Sequence, residues 1–355
     1  MKKFTSILLS LMLLLSVTAC GNENASAPSE KAENNSENTA ASSEPSELEA
    51  SNPETSSQEA KPEDETEALI RVAALKGPTG MGLASMLTSE EGKALYELTL
   101  CASPSEIAPL VMQGNVDLAS LPSNLGAKFS QKVSVIAVNT VGNLTFVTKN
   151  VEINEFADLK GQTVLTSGKG ASPEAMLNFL LEKNGMKAEE DVKVEYMSEH
   201  AECLASLLKA ESGVALLPQP FATVALTKDE SLKTALDFNE LWKEATDGVP
   251  PVTGIMVASR DFLANHKDKV DAFLAEYKNS MELAANADDK AVEAIAALEI
   301  APAPIAKKAL PSCGIQFITG EEMKATLSSY LEILNAFEPK LIGEKMPADD
   351  FYYLG

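Results

Sequence analysis

Histidine occurs only twice in this 355-residue chain, at His200 and His266, and cysteine four times. A Ser-His-Asp or Cys-His arrangement has almost no material here, and a zinc site has less. Both histidines sit beside polar or charged residues in helical patterns and read as surface positions. Beyond Cys20, the three cysteines Cys101, Cys203 and Cys313 show no C-x-x-C or metal-ligand spacing. Three thiols cannot all pair within one chain, so they read as buried free thiols, with a single disulfide as the other arrangement. No catalytic set, metal or cofactor is expected. The residues left to do chemistry are backbone amides, hydroxyls and two lysines gathered in glycine-rich turns. One turn is Lys76-Gly77-Pro78-Thr79-Gly80-Met81-Gly82, and another is Ser167-Gly168-Lys169-Gly170-Ala171-Ser172-Pro173-Glu174. Where a strand ends and a helix begins, N–H groups lack internal partners and are free to bond a ligand oxygen. The first turn is not a Walker loop, because no Gly-Lys-Ser/Thr closes it, and it lacks the G-x-G-x-x-G spacing. A tight connection that touches nothing is the other reading. Recurrence of similar turns along the chain favours a ligand.

The elements that position these turns are legible from hydrophobic patterning. Residues 69–75 form an apolar run suited to a buried strand, and a helical pattern begins near Leu83. Strands are predicted at 94–100, 116–121, 133–138 and 144–148. A helix is predicted from Ser103 to about Gln113, with Ser103 as N-cap, Pro104 at N1 and Glu106 at the capping-box position. Pro122-Ser123-Asn124 opens a further helix. Four βα steps with short connections predict a mostly parallel sheet with helices on both faces. In open sheets of this kind ligands sit outside the carboxyl ends of strands. The texture changes at Val151, where a crossing into a second lobe is expected. That lobe repeats the plan, with strands at 162–166, 192–197, 214–217 and 233–238. Pro218-Gln219-Pro220-Phe221 opens a helix there. Pro250-Pro251 marks the return to the first lobe, a strand follows at 252–259, and helices fill 267–285, 290–298 and 321–337.

The N-terminus carries an address. Met1-Lys2-Lys3, a short leucine-rich run and Val17-Thr18-Ala19-Cys20 describe a secretory signal. Its end resembles a bacterial lipobox, in which Cys20 becomes the lipidated first residue. The expected organisation is a signal over 1–19, an acidic tether over 20–67, first-lobe segments over 68–150 and 251–355, and an inserted second lobe over 151–250. The tether is rich in Ser, Glu, Asn and Pro and carries about −11 of the formal −23, so it cannot bury enough surface to order itself. The remaining body is also acidic, which argues against nucleic acid and against charge-driven docking on anionic lipid. A membrane contact is expected only through lipid on Cys20.

Together these features resemble the solute-binding lipoproteins of ABC importers, nearest the nitrate/sulfonate/taurine branch with its two-lobed type II periplasmic-binding fold. The segments that carry the likeness are RVAALKGPTGMG (71–82), ADLKGQTV (157–164), ALLPQPFATVAL (215–226) and ITGEEMKATLSSYLE (318–332), with the terminal DDFYYLG. The resemblance implies an α/β protein with a ligand cleft between lobes, working as a monomer with a permease and an ATPase on the outer face of the cell membrane. It implicates Gly77, Pro78, Thr79, Gly80 and Met81, then Leu121, Pro122 and Ser123, then Asn139 and Thr140. From the second lobe it implicates Ser167, Gly168, Lys169, Gly170, Ala171 and Ser172, then Pro218, Gln219, Pro220 and Phe221. Thr79, Ser123, Thr140 and Ser172 offer hydroxyls, Phe221 or Met81 an apolar surface, and Lys76 and Lys169 a charge for an anion. No arginine lies in these turns, so a bidentate carboxylate clamp is not evident. Two other classes share the fold or the address. Enzymes such as the pyrimidine-precursor synthases need a cysteine cluster and histidine not found here, and chorismate dehydratases are cytosolic. A ligand sensor that hands its solute to a membrane receptor is the third class.

Overall fold

The computed structural model describes residues 68–169 and 171–355. They fall in one compact unit spanning residues 65–355. The signal, Cys20, the tether and Gly170 lie outside the described residues. In chain order the elements are β1 (Ile70–Leu75), α1 (Pro78–Met81), α2 (Ala84–Thr88), α3 (Glu90–Leu95), β2 (Tyr96–Cys101), α4 (Pro104–Met112), β3 (Leu118–Pro122), α5 (Ser123–Lys128), β4 (Val133–Val141) and β5 (Leu144–Lys149). The middle of the chain supplies β6 (Thr163–Ser167), α6 (Ser172–Lys183), β7 (Lys193–Met197), α7 (His200–Lys209), β8 (Gly213–Pro218), α8 (Phe221–Lys228), β9 (Leu232–Asp237) and α9 (Phe238–Ala245). It closes with β10 (Val252–Ser259), α10 (Arg260–Asn265), α11 (Lys267–Ala285), α12 (Asp289–Ala297), α13 (Ala303–Ala309), β11 (Ile315–Ile318) and α14 (Gly320–Phe337). Among these residues no helix is long and apolar enough to cross a membrane.

Two sheets form two lobes. The first has the order β11-β4-β10-β3-β1-β2 and the second β7-β6-β8-β5-β9. Both are mixed, which refines the mostly parallel expectation. In the first sheet β2, β1, β3 and β4 run one way, while β10 and β11 run the other. In the second only β5 is reversed. The reason lies in the crossings. β5 is reached from β4 through Gly142 and Asn143 alone, too short for a crossover helix, so it enters its new sheet against the grain. β10 re-enters the first sheet after α9 and a connection over residues 246–251 that ends in Pro250 and Pro251, and it runs antiparallel to β3 and β4. Because β5 already pairs in the second sheet, the chain changes lobe between Gly142 and Asn143 rather than at 150/151.

Several local differences have physical causes. The helix expected near Leu83 is preceded by α1, because Pro78 at N1 pre-sets a helical φ and the turn closes on Gly77. Residues 90–95, expected to lead into or form a strand, make α3 instead, capped by Ser89, whose hydroxyl accepts from Gly92 N–H at 2.9 Å. The predicted box at α4 is not made. Ser103 is N-cap, but its hydroxyl bonds Ser105 Oγ at 2.8 Å, and Glu106 accepts from Ala102 N–H, one residue before the N-cap, at 2.8 Å. Proline 302 opens α13 rather than only breaking a helix, and β11 has too few residues to show a period.

Each sheet is covered on both faces. Beneath α2, α11 and α12 lies a first-lobe core with Tyr277 and Phe273, and beneath α7 and α8 a second-lobe core with Cys203 and Leu217. The third apolar cluster belongs to both lobes. It runs from Val135 and Val257 of the first sheet through Tyr330 and Leu334 of α14 to Met176, Trp242 and Leu216. Cys101, Cys203 and Cys313 are all buried and unpaired, so the single-disulfide arrangement is not adopted. Burial pushes the Cys203 and Cys313 thiols up to about 12, and an inert thiol is expected for both. Reaction with Ellman's reagent at pH 8 is expected to run at least about 100-fold slower in the folded protein than after unfolding. Fast labelling of the folded chain at Cys203 or Cys313 would contradict this burial.

Candidate functional site: the turns at the lobe crossing

The first-lobe turn is a closed helical element rather than an open glycine loop. Gly80 and Met81 N–H groups both donate to Gly77 O, at 3.0 and 2.9 Å, and Gly82 N–H donates to Pro78 O at 3.2 Å. Met81 points into the first-lobe core, where its sulfur meets Cys313 Sγ at 3.8 Å, and Leu121 is likewise core. Gly80 packs on Leu75 O, which a Cβ there would approach to 2.5 Å. Lys76 is exposed. The part of this lobe that converges is a buried polar cluster. Asn139 Nδ2 donates to Ser120 Oγ at 2.7 Å, Ser120 Oγ donates to Thr79 O at 3.2 Å, and Thr140 Oγ1 donates to Asn139 Oδ1 at 3.1 Å. The fully buried Tyr277 hydroxyl faces Asn139 and Ser120 without a partner at hydrogen-bond geometry, and burial raises its pKa. Gly254 of β10 leaves room for this cluster, since a Cβ there would lie 2.6 Å from Asn139 Oδ1 and 2.8 Å from Thr79 Cγ2. Ser123 turns away, donating to Val252 O at 2.5 Å, and Pro122 is the N-cap of α5.

In the second lobe Ser167, at the end of β6, is hydrogen-bonded to Nδ1 of His200, the first residue of α7. The His200 ring packs on Phe221, the first residue of α8, with ring centroids 5.4 Å apart. His200 is therefore half-buried rather than a free surface histidine, and three strand-end segments meet through it. Its imidazole is held neutral, with the pKa lowered by burial to about 4. His266, by contrast, is exposed and packs beside Phe262. Gly168 adopts φ +84°, a left-handed conformation that suits glycine, and Ala171 is the N-cap of α6. Lys169 is exposed, its ammonium 5.5 Å from the centre of the Tyr196 ring. Ser172 is buried at the first turn of α6, its hydroxyl unpartnered and turned toward Tyr330 of α14. Gln219, flanked by the buried Pro218 and Pro220, is spent structurally. Its Oε1 accepts from Thr223 N–H at 3.2 Å and Thr223 Oγ1 at 2.8 Å.

Register brings these two halves to one place. Gly254 pairs with Pro122 on one side and Thr140 on the other, and Pro218 pairs with Leu144 just past the crossing. Gln219 N–H donates to Asn143 O at 2.9 Å. β3 and β4 thus flank β10 in the first sheet, and β8 lies beside β5 in the second, about one strand spacing (~4.8 Å) between paired neighbours. α14 packs on α5 from the first lobe and on α6 from the second. A cavity of about 760 Å³ lies elsewhere at the crossing, between β11 and α13 on one side and α8, β9 and α9 on the other. The strand orders place β11 and β9 at the sheet edges beside β4 and β5, whereas most of the expected turns follow β1, β3, β6 and β8. Of the expected turn residues the cavity touches only Gln219.

Sequence reasoning did not single out Ser120, Gly254 or Tyr277, and it read His200 as a surface position. A lone serine in the apolar run Leu118-Ala119-Ser120-Leu121 is a signal for the first. Nothing local marks the polar surroundings of the others, because the Ser167 partner of His200 is 33 residues away and the polar groups around Gly254 and Tyr277 lie farther still along the chain. Among the described residues no group of three or more His, Cys, Asp or Glu is placed to hold a metal.

Solved structures share this fold. An ABC transporter protein from Parabacteroides distasonis aligns at a TM-score of 0.68 and 22% identity, over 80% of this chain and 98% of its own. The periplasmic aliphatic sulphonate binding protein SsuA from Escherichia coli aligns at 0.64 and 17%, over 80% and 92%. The alkanesulfonate-binding protein SsuA from Xanthomonas axonopodis pv. citri, bound to MOPS, aligns at 0.60 and 15%, over 81% and 98%. At these identities the likeness is one of fold, and that fold is the two-lobed periplasmic-binding type. No curated protein matches the chain by sequence. A family model described as menaquinone biosynthesis matches residues 79–334, which takes in both lobes, both crossings and α14. The chain therefore belongs to the menaquinone biosynthesis family, VitK2_biosynth.

Proposed function

We propose that the protein captures a small solute between its lobes outside the cell membrane and delivers it to an ABC importer. What supports this reading is that the first lobe holds a polar cluster of Thr79, Asn139 and Thr140 and the second holds Ser167 with His200 and Phe221, the chain crossing between the lobes twice. Such crossings are hinges, and hinge closure around a solute buries it and presents a new surface to membrane subunits. Neighbours that are importer binding components support the same role. The site residues of this reading are Thr79, Thr140, Ser167, Lys169, Ser172 and Phe221 of the turns, with His200 added. A melting screen of small anions and heterocycles tests this, because a tight solute in excess raises apparent stability. Thr79→Ala and Lys169→Ala are each expected to lower a hit's affinity about three- to tenfold. An unchanged affinity in both removes the site.

The family description favours a second reading, a biosynthetic enzyme on the same fold. Mass spectrometry of the bound solute separates the two. Recovery of unaltered solute supports capture, and a converted product supports catalysis. A sensing role is separated from transport by whether the purified permease and ATPase respond to the loaded protein.

The anchor is part of the proposal. Lipid on Cys20, with two or more chains, gives stable attachment, and the acidic 20–67 segment serves as tether to a monomeric body. Cys20→Ala is expected to move the protein from the detergent phase to the aqueous phase in cloud-point partitioning. Equal partitioning of both forms would refute the anchor.

A further inference from the structure

His200 is a titratable group in the second-lobe wall whose protonation solute capture, as described, does not use. It joins Ser167, at the end of β6, to Phe221, at the start of α8. As the first residue of α7 it also stands where the helix dipole opposes a positive charge. The titratable groups around it are few. On its own helix Glu202 is tied back to Ser198 and Cys203 is buried, and Glu199 is the N-cap. From the β6 turn comes Lys169, stationed over Tyr196 of β7, and α6 contributes Glu174, which interacts with Tyr196. From α8 comes the uncharged Phe221. The ring's hydrogen bond among the described residues is to the neutral Ser167 hydroxyl. A neutral ring without a carboxylate partner is stable only while nothing negative approaches. An anion docked against Ser167 supplies the missing counter-charge and favours the imidazolium, whose Nδ1–H then donates to Ser167 Oγ while the Ser167 hydroxyl donates to the anion.

We propose that His200 sets which charge the cleft accepts, by taking up one proton from solvent when an anionic solute docks against Ser167 and returning it on release. Capture of anions is then linked to pH, and capture of uncharged solutes is not. The inference rests on the solute-capture reading and deepens it. Linkage fixes the sign. Because the proton is bound more tightly in the complex than in the free protein, anion affinity rises as pH falls between the two midpoints, by up to tenfold per pH unit for one proton.

Having only two histidines makes this testable by histidine-labelled NMR of the full-length chain. The His200 signal is identified by its loss in His200→Gln, and exposed His266 is the internal reference. The probes are methanesulfonate and benzoate, against their uncharged counterparts dimethyl sulfone and benzamide. The free protein is expected to keep His200 neutral to near pH 4. Either anion is expected to raise its midpoint by about a unit or more, with no movement under the uncharged probes. His200→Gln is expected to bind the anion with a flat pH profile. An unmoved midpoint under both anions, an equal shift under uncharged probes, or a pH slope that survives in His200→Gln overturns the proposal. Anions that stabilise the fold while leaving His200 unmoved overturn this inference alone. A broad solute panel that stabilises nothing overturns the capture reading as well.

Discussion

Trp242→Ala is expected to destabilise the protein by about 3–5 kcal/mol, the usual cost of emptying a buried tryptophan site. Trp242 belongs to α9 in the second lobe and is fully buried. Its ring lies 5.0 Å from Phe179 of α6 and 5.7 Å from Tyr330 of α14, which comes from the first lobe. Phe179 in turn packs edge-on against Phe337, at the end of α14, at 5.6 Å. The apolar cluster that includes these rings spans both lobes. The cavity would therefore loosen the grip of α14 on α6 as well as the second-lobe core. Thermal unfolding followed by circular dichroism should show a midpoint lowered by several degrees, at roughly 2–4 °C per kcal/mol for a domain of this size. Tyr330→Phe is the matched control. It removes only the hydroxyl that meets Met176 Sδ at 3.3 Å, and a change below about 1 kcal/mol is expected. A Trp242→Ala loss under about 1 kcal/mol would mean that this seam contributes little to holding the lobes.

The second large effect is on binding. Gly254→Ala is expected to reduce affinity for any solute held by the first-lobe turns at least about tenfold, and to cost about 1–3 kcal/mol of stability through overpacking. The added carbon would fall 2.6 Å from Asn139 Oδ1, 2.8 Å from Thr79 Cγ2 and 2.9 Å from Thr140 Cβ, all closer than real contacts allow. Asn139 is bonded to Thr140 directly and to Thr79 O through Ser120, so making room for the added carbon strains a buried hydrogen-bonded cluster. Gly77→Ala is the contrast. A Cβ at Gly77 meets nothing within 4 Å, and its φ of 173° is extended backbone that any residue adopts. Gly77→Ala should bind solute as the parent does, measured by calorimetry beside Gly254→Ala. Equal affinities for the two variants would place the solute away from Thr79 and Thr140.

These two residues also mark how far the sequence could be read. Gly77 stood out because Gly-Pro after an apolar run is a local signal, yet the structure leaves it unconstrained. Gly254 lies inside an ordinary strand pattern, and its role appears only when β3, β4 and β10 are laid side by side. Lys169 was legible as a lysine between glycines, but its place over Tyr196 depends on β6 and β7 being neighbours. His200 was misread for the same reason. Its sequence neighbours are polar, and its actual neighbours are Ser167 and Phe221, brought from other strand ends.

By itself the sequence determined the alternation of strands and helices, the two-lobed α/β class and the position of most turns. Periodicity, proline at N1 and capping are governed by residues within one turn of each other. Tertiary structure alone decided which strands run reversed, where the chain changes lobe, that α14 ties the lobes together, and which turn residues are spent in the core. Met81 and Ser123 show the physical reason. A hydroxyl or thioether is available to a solute only if the rest of the fold has not already satisfied it, and its partner here, Cys313 for Met81 and Val252 O for Ser123, lies more than a hundred residues away.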